Sequence, residues 1–163
     1  MIRIILIDMY KTIVARKLRR TFAAISAGDP QLMLDSLAPT FRYRFLGDNA
    51  IGGERHSLDA MRRWWERIYR VFPNARFDVH RVLVHGAPWN TQVATELTFH
   101  ADLPEGALSP TGPHTNTVVQ LMTLKWGKIT DILTIEDTLR CTKAFERIAA
   151  VGVADAAMAP INS

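Results

Sequence analysis

Arg76–His100, RFDVHRVLVHGAPWNTQVATELTFH, is the stretch whose reading decides the fold. From Arg76 to His85, and again from Thr91 to His100, side-chain character alternates with a period of two, the mark of strands that bury one face. Between them Gly86-Ala87-Pro88-Trp89-Asn90 is turn chemistry. The same period returns at Asn116–Trp126 and Lys128–Glu136, joined by the tight turn Trp126-Gly127. The link from Ala101 to His114 is longer and rich in Pro and Gly, so it is expected to be a surface loop able to form a rim or lid.

Upstream the period lengthens. Val14, Leu18, Phe22 and Ile25 recur every three or four residues and predict a helix over 10–27, stopped by Gly28. Asp29-Pro30 opens a short second helix carrying Leu34 and Leu37 and closed by Pro39. Phe41–Phe45, which holds Tyr43, alternates as a strand, and a glycine-rich loop runs from Gly47 to Gly53. Ser57 caps a third helix whose stripe is Leu58, Met61, Trp65, Ile68 and Phe72, ended by Pro73-Asn74. Thr138–Ala150 reads as a closing helix, and the tail Val153–Ser163 carries no firm pattern. Helices, one strand, then a run of long antiparallel strands is an α+β plan. The expected architecture is a cone-shaped α+β barrel. Its curved, mostly antiparallel sheet wraps around the long N-terminal helix and is closed by a C-terminal helix. One domain over 1–163 is expected, with its core at about 12–157 and a tail at 158–163. The open mouth of such a cone is a natural pocket for a small apolar molecule.

Composition excludes several classes. The chain has 163 residues, 48% hydrophobic and 22% charged, the balance of an ordinary globular domain. A single cysteine, Cys141, rules out an internal disulfide and a cysteine-based zinc site. A reducing, cytoplasmic location is the natural expectation. The apolar run Ile4–Ile7 is too short for a signal peptide and ends at Asp8, and no stretch reaches the length of a membrane span, so no membrane association is expected. Net charge is +4, but the basic run Arg16-Lys17-Leu18-Arg19-Arg20 falls within a helical pattern with no accompanying aromatic motif, so no nucleic-acid partner is expected.

Few residues suggest chemistry. Val118, Gln120, Met122 and Leu124 share one strand face, so Gln120 is a polar side chain at a pocket wall; it either meets a ligand or is satisfied within the core. Asp48, in Gly47-Asp48-Asn49, reads either as a carboxylate beside an apolar cavity, hence a general base, or as a turn residue bonding its own backbone. Asp137 either faces the pocket mouth or caps the last helix; Glu136 and Asp131 are weaker candidates. Tyr43, Trp65 and Met122 are candidate ligand contacts, and Trp89 either covers the sheet end or lines the pocket. His80 and His85 face opposite sides of one strand; His100 and His114 flank the long loop and could meet, which without a third ligand makes a weak metal case. No metal and no cofactor is expected. No nucleophile elbow, phosphate loop or dinucleotide fingerprint occurs.

The order of elements, with Phe22–Asp29, Gly47-Asp48, Gly52-Gly53, Gly86–Asn90, Trp126–Ile129 and Glu136-Asp137-Thr138, resembles the nuclear transport factor 2-like superfamily, especially SnoaL-like proteins, over roughly 12–157. The resemblance implies the cone fold, while function varies across the superfamily. Against ketosteroid isomerase it places Asp48 on the catalytic base and Gln120 on the protonated acid of the oxyanion hole, the enzyme used as an example of pKa tuning. It puts Thr21 where the oxyanion tyrosine stands, a departure that counts against steroid isomerisation. Against limonene epoxide hydrolase only Asp137 matches; Leu97 and Phe99 replace the central strand's charged pair. The expectation is an isomerase- or lyase-type proton transfer on a small carbonyl compound with Asp48 as base. The alternatives are a non-catalytic binding domain or a dimerisation module, and a homodimer through the open sheet face is expected.

Overall fold

The computed structural model describes residues 2–108 and 112–163. Its elements are α1 (Ile2–Ser26), α2 (Gln31–Ser36), β1 (Leu37–Phe45), β2 (Gly53–Arg55), α3 (Leu58–Val71), β3 (Arg76–Ala87), β4 (Asn90–Ala101), β5 (His114–Lys125), β6 (Lys128–Glu136) and α4 (Thr138–Ala150), with a short 3-10 turn at Ala154–Ala157. The six strands form one open sheet in the order β2-β1-β6-β5-β4-β3. All neighbours are antiparallel except β1 and β6, which run parallel. The expected cone is present, with α1 laid against β3 across the concave face.

Local signals explain the elements. Ser57 caps α3 by accepting from the Ala60 N–H, and the stripe Met61, Trp65, Ile68 is buried beneath it. Asp137 does the same for α4 through the Arg140 N–H. The β3–β4 turn closes over Pro88-Trp89, and the β5–β6 turn places Trp126 and Gly127 at φ 52° and 77°, the left-handed pair that a two-residue hairpin requires.

Three boundaries differ from expectation. α1 begins at Ile2 rather than near residue 10, because the Ile4–Ile7 run continues the helix. Pro39 lies inside β1: the helix already ends at Ser36, and β1 pairs with β6 at Leu37 and then from Arg42, with the register shift between them. Gly53–Arg55, read as loop, is a short edge strand against β1, held from the other side by the tail. Asn162 Oδ1 accepts from Glu54 N–H at 2.8 Å, and Ser163 N–H donates to the Glu54 carbonyl at 3.2 Å. Of the Ala101–His114 link, Leu103 and Ala107 are buried. The rim or lid expectation there falls partly on residues 109–111, outside the described residues. No helix of the described residues is long and apolar enough to cross a membrane.

Candidate functional site

A cavity of about 180 Å³ lies between α1 and the concave sheet face. On a comparable scale an apolar cavity of roughly 150 Å³ takes up benzene, so this one suits a small ring compound. Its sheet wall is built in layers set by the pairing register. Thr91, Leu124 and Ile129 form one layer, followed by Val93, Met122 and Ile132, then Thr95, Gln120 and Thr134, then Leu97, Val118 and Glu136. At about 3.4 Å per residue the first and last layers are ~20 Å apart along β4. Aromatic side chains of α1 and α3 close the opposite wall: Trp64 and Trp65 lie edge-on at 4.8 Å, and Phe22 meets Phe77 of β3 at 5.9 Å. Ile13 and Lys17 are the exposed lining residues, so they mark the mouth. Tyr10 secures α1 to the first layer by a 2.7 Å hydrogen bond between its hydroxyl and that of Thr91.

The polar groups in this apolar shell are few. Gln120 Nε2 donates to Thr134 Oγ1 at 3.1 Å, and the Thr134 hydroxyl donates to the Tyr43 oxygen at 3.2 Å. Donation thus runs in one direction and ends at Tyr43, whose own O–H is left to serve a further acceptor. Burial pushes the Tyr43 phenol up to about 12, so it stays a neutral donor. One layer deeper, Glu136 Oε2 accepts from Asn116 Nδ2 at 3.0 Å, while Oε1 is sealed from solvent with no partner. Burial raises Glu136 to about 7, partly offset by the neighbouring Cys141 thiol and the Asn116 amide. A carboxyl poised near neutrality is matched to proton transfer at physiological pH. Burial, with Glu136 beside it, pushes the Cys141 thiol far up, which excludes it as a nucleophile. Trp65 Nε1, on another lining residue, is also buried without an acceptor.

The residues named from sequence divide. Gln120, Thr21, Tyr43, Trp65 and Met122 all line the cavity, although Thr21 spends its hydroxyl on the Lys17 carbonyl at 3.0 Å. Asp48 does not line it: the side chain is exposed on the turn after β1. The turn instead directs Asn49 inward. Asn49 Oδ1 accepts from the Ile51 and Gly52 N–H groups, both at 3.1 Å, and Nδ2 points at Cys141 Sγ, 3.8 Å away. The base expected at Asp48 therefore has no cavity position. Asp137 is an exposed helix cap, and Trp89 sits at the sheet end, 56% exposed, its ring 6.2 Å from that of Trp126. His100 and His114 do not meet. Pairing places His114 opposite Ala101 on the inner face, where it stacks on Phe72, whereas His100 faces outward to Asp78. Among the described residues no cluster of three or more metal-ligating side chains occurs.

The residue underweighted in the sequence is Glu136. Its signal was parity: Ile132, Thr134 and Glu136 alternate onto one face, and Ile132 and Thr134 are fully buried. Two arginines were also missed. Arg55 is fully buried and donates to the carbonyls of Ile51 and Gly52, at 2.7 Å for the shortest contact, with its guanidinium 5.0 Å from the Trp64 ring. Arg67 holds the Ala50 carbonyl at 2.8 Å and the Ala159 carbonyl at 2.7 Å. Together they fix the 47–52 turn against the aromatic wall.

A family model of the SnoaL-like domain matches residues 18–132, from the end of α1 through α2, α3 and β1–β5 into β6. The chain belongs to the SnoaL-like family. No curated protein matches this SnoaL-like chain. Solved structures share its fold. PrhC from Penicillium brasilianum is similar with a TM-score of 0.70 at 16% identity, over 88% of this chain and 92% of PrhC. IdmH from Streptomyces antibioticus, a candidate polyketide cyclase, has a TM-score of 0.63 at 18% identity, over 82% of this chain and 98% of its own. A Catenulispora acidiphila protein with a ketosteroid isomerase-like fold, solved with trimethylamine, has a TM-score of 0.59 at 15% identity, over 73% and 83%. Identities this low speak to fold alone.

Proposed function

We propose that this SnoaL-like protein binds a small, largely apolar carbonyl compound and moves a proton at the carbon beside the carbonyl. The observation that carries the proposal is Glu136: a carboxyl lining an apolar cavity, one oxygen unpartnered, held by burial near neutral pH. The Glu136 carboxylate takes the α-proton, the C–H electron pair becomes a C=C bond, and the carbonyl π pair moves onto oxygen. The Tyr43 O–H, aligned by Thr134 and Gln120, donates to that oxygen. Return of the proton to another carbon gives an isomer; attack of the enolate carbon on a second carbonyl gives a ring. IdmH's description as a candidate polyketide cyclase accords with the second outcome. Gln120 thus keeps a part in binding oxygen, two hydrogen bonds removed through Thr134 and Tyr43, while Glu136 takes the place of Asp48 as base.

The test is hydrogen–deuterium exchange at the α-carbons of 2-tetralone in heavy water, followed by proton NMR. Exchange above the buffer rate that Glu136→Gln abolishes supports the proposal. Saturable binding without exchange assigns the cavity to a non-catalytic carrier instead.

We also propose a homodimer through the convex face, supported by one row of apolar residues across four strands. Leu83, Ala94, Leu121 and Leu133 are in register, with Leu83 and Leu121 58% and 44% exposed. Light scattering of a monomer at micromolar concentration refutes it.

A further inference from the structure

The cavity lining contains two charged residues, Glu136 in the deep layer and Lys17 at the mouth. Lys17 forms no ion pair among the described residues. The segment Met9–Gly28 carries Lys11, Arg16, Lys17, Arg19 and Arg20 and no carboxylate. Of these, Lys11 is spent on Asp8 at 3.7 Å and Arg19 on the Val79 carbonyl at 2.8 Å. Arg16, Lys17 and Arg20 form no ion pair among the described residues, so this stretch of α1 carries net positive charge, and low-dielectric walls concentrate such a field at an opening. Glu136 is the acidic residue of the lining, and its carboxylate repels anions.

We infer that the ligand is amphiphilic, an apolar ring body inside the cavity with a carboxylate or like anion at the mouth against Lys17. This deepens the proposed function, whose pocket it assumes, and it fixes orientation: the anion stays outside and the neutral carbonyl end goes in toward Glu136 and Tyr43. An exposed pair of this kind strengthens binding roughly two- to fivefold and is weakened by salt.

The experiment is calorimetric titration of the full chain with 2-naphthoate and with 2-naphthamide, an isosteric pair differing in charge. Wild type binds naphthoate two- to fivefold more tightly, and the preference shrinks in high salt. Lys17→Met binds both equally, with folding checked separately by its urea midpoint. Arg16→Met, altering an exposed neighbour outside the lining, keeps the preference. Equal binding by wild type overturns the inference while leaving the pocket intact, as does a preference that survives Lys17→Met or is lost equally in Arg16→Met. If neither compound binds, the pocket reading fails and this inference falls with it.

Discussion

Two buried groups on the inner sheet face oppose one another in their pH dependence, and separating them tests both placements. Glu136 is raised by burial from 4.5 to about 7, so the folded state holds its proton after the unfolded state has lost it. Stability therefore falls as pH rises from about 4.5 to about 7 and levels off above. His114, 3% exposed and stacked on Phe72, is lowered from 6.5 to about 4 by burial and by Arg140 and Arg147. There the unfolded state takes the proton first, so stability falls as pH drops from about 6.5 toward about 4. At about 1.4 kcal/mol per unit, Glu136 favours pH 5 over pH 8 by about 2.5 kcal/mol, and His114 favours pH 8 over pH 5 by about 2 kcal/mol. In wild type the two nearly cancel. Glu136→Gln removes the first, so relative to wild type it gains about 2.5 kcal/mol at pH 8 over its change at pH 5. His114→Phe removes the second and gains about 2 kcal/mol at pH 5 over its change at pH 8. Urea denaturation at both pH values reads this as midpoint shifts of about 1 M, taking an m-value of roughly 2 kcal/mol/M. Variants whose difference from wild type is the same at both pH values refute the reasoning, because both groups would then be ordinarily solvated.

Other outcomes follow from the turn and the tail. Gly52→Ala drives a Cβ into the Gly47 carbonyl oxygen and is expected to cost about 2 kcal/mol or more, seen as a lower urea midpoint. Deleting residues 159–163 removes four bonds: Ala159 to Arg67, Asn162 and Ser163 to Glu54, and Ser163 to the His56 N–H. At about 1 kcal/mol per bond this costs about 4 kcal/mol and lowers Tm by roughly 8–16 °C in calorimetry. Asp48→Asn changes an exposed turn residue and is expected to alter denaturation by under about 0.5 kcal/mol and 2-tetralone exchange not at all; loss of exchange in that variant would restore Asp48 as base.

The strands and α3 were legible because their signals are local. Alternation in β3 to β6, the Ser57 cap and the Met61-Trp65-Ile68 stripe depend on residues within a few positions of one another. What was not legible depends on distant partners. β2 is a three-residue strand that exists because β1 lies on one side and the tail on the other. Arg55 looks like a loop cation until the Ile51 and Gly52 carbonyls converge on it. The candidate site shows the same division. Gln120, Met122 and Tyr43 lie on the cavity wall because strand parity puts them there. Asp48 carried two readings, base and turn residue, because a turn has no parity; its side chain is exposed, and the neighbouring Asn49 makes the inward contacts. Glu136 had the parity but stood beside Asp137, whose capping role drew the strand's end to itself.

The most direct measurement is the titration of the Glu136 side-chain carboxyl by carbon-detected NMR on the free protein, with Glu136→Gln identifying the resonance. A midpoint near 7 places the carboxyl in the apolar cavity and in range for proton transfer at neutral pH. A midpoint at or below the 4.5 of an ordinary glutamate places it in water, and the proposed chemistry is then without a base.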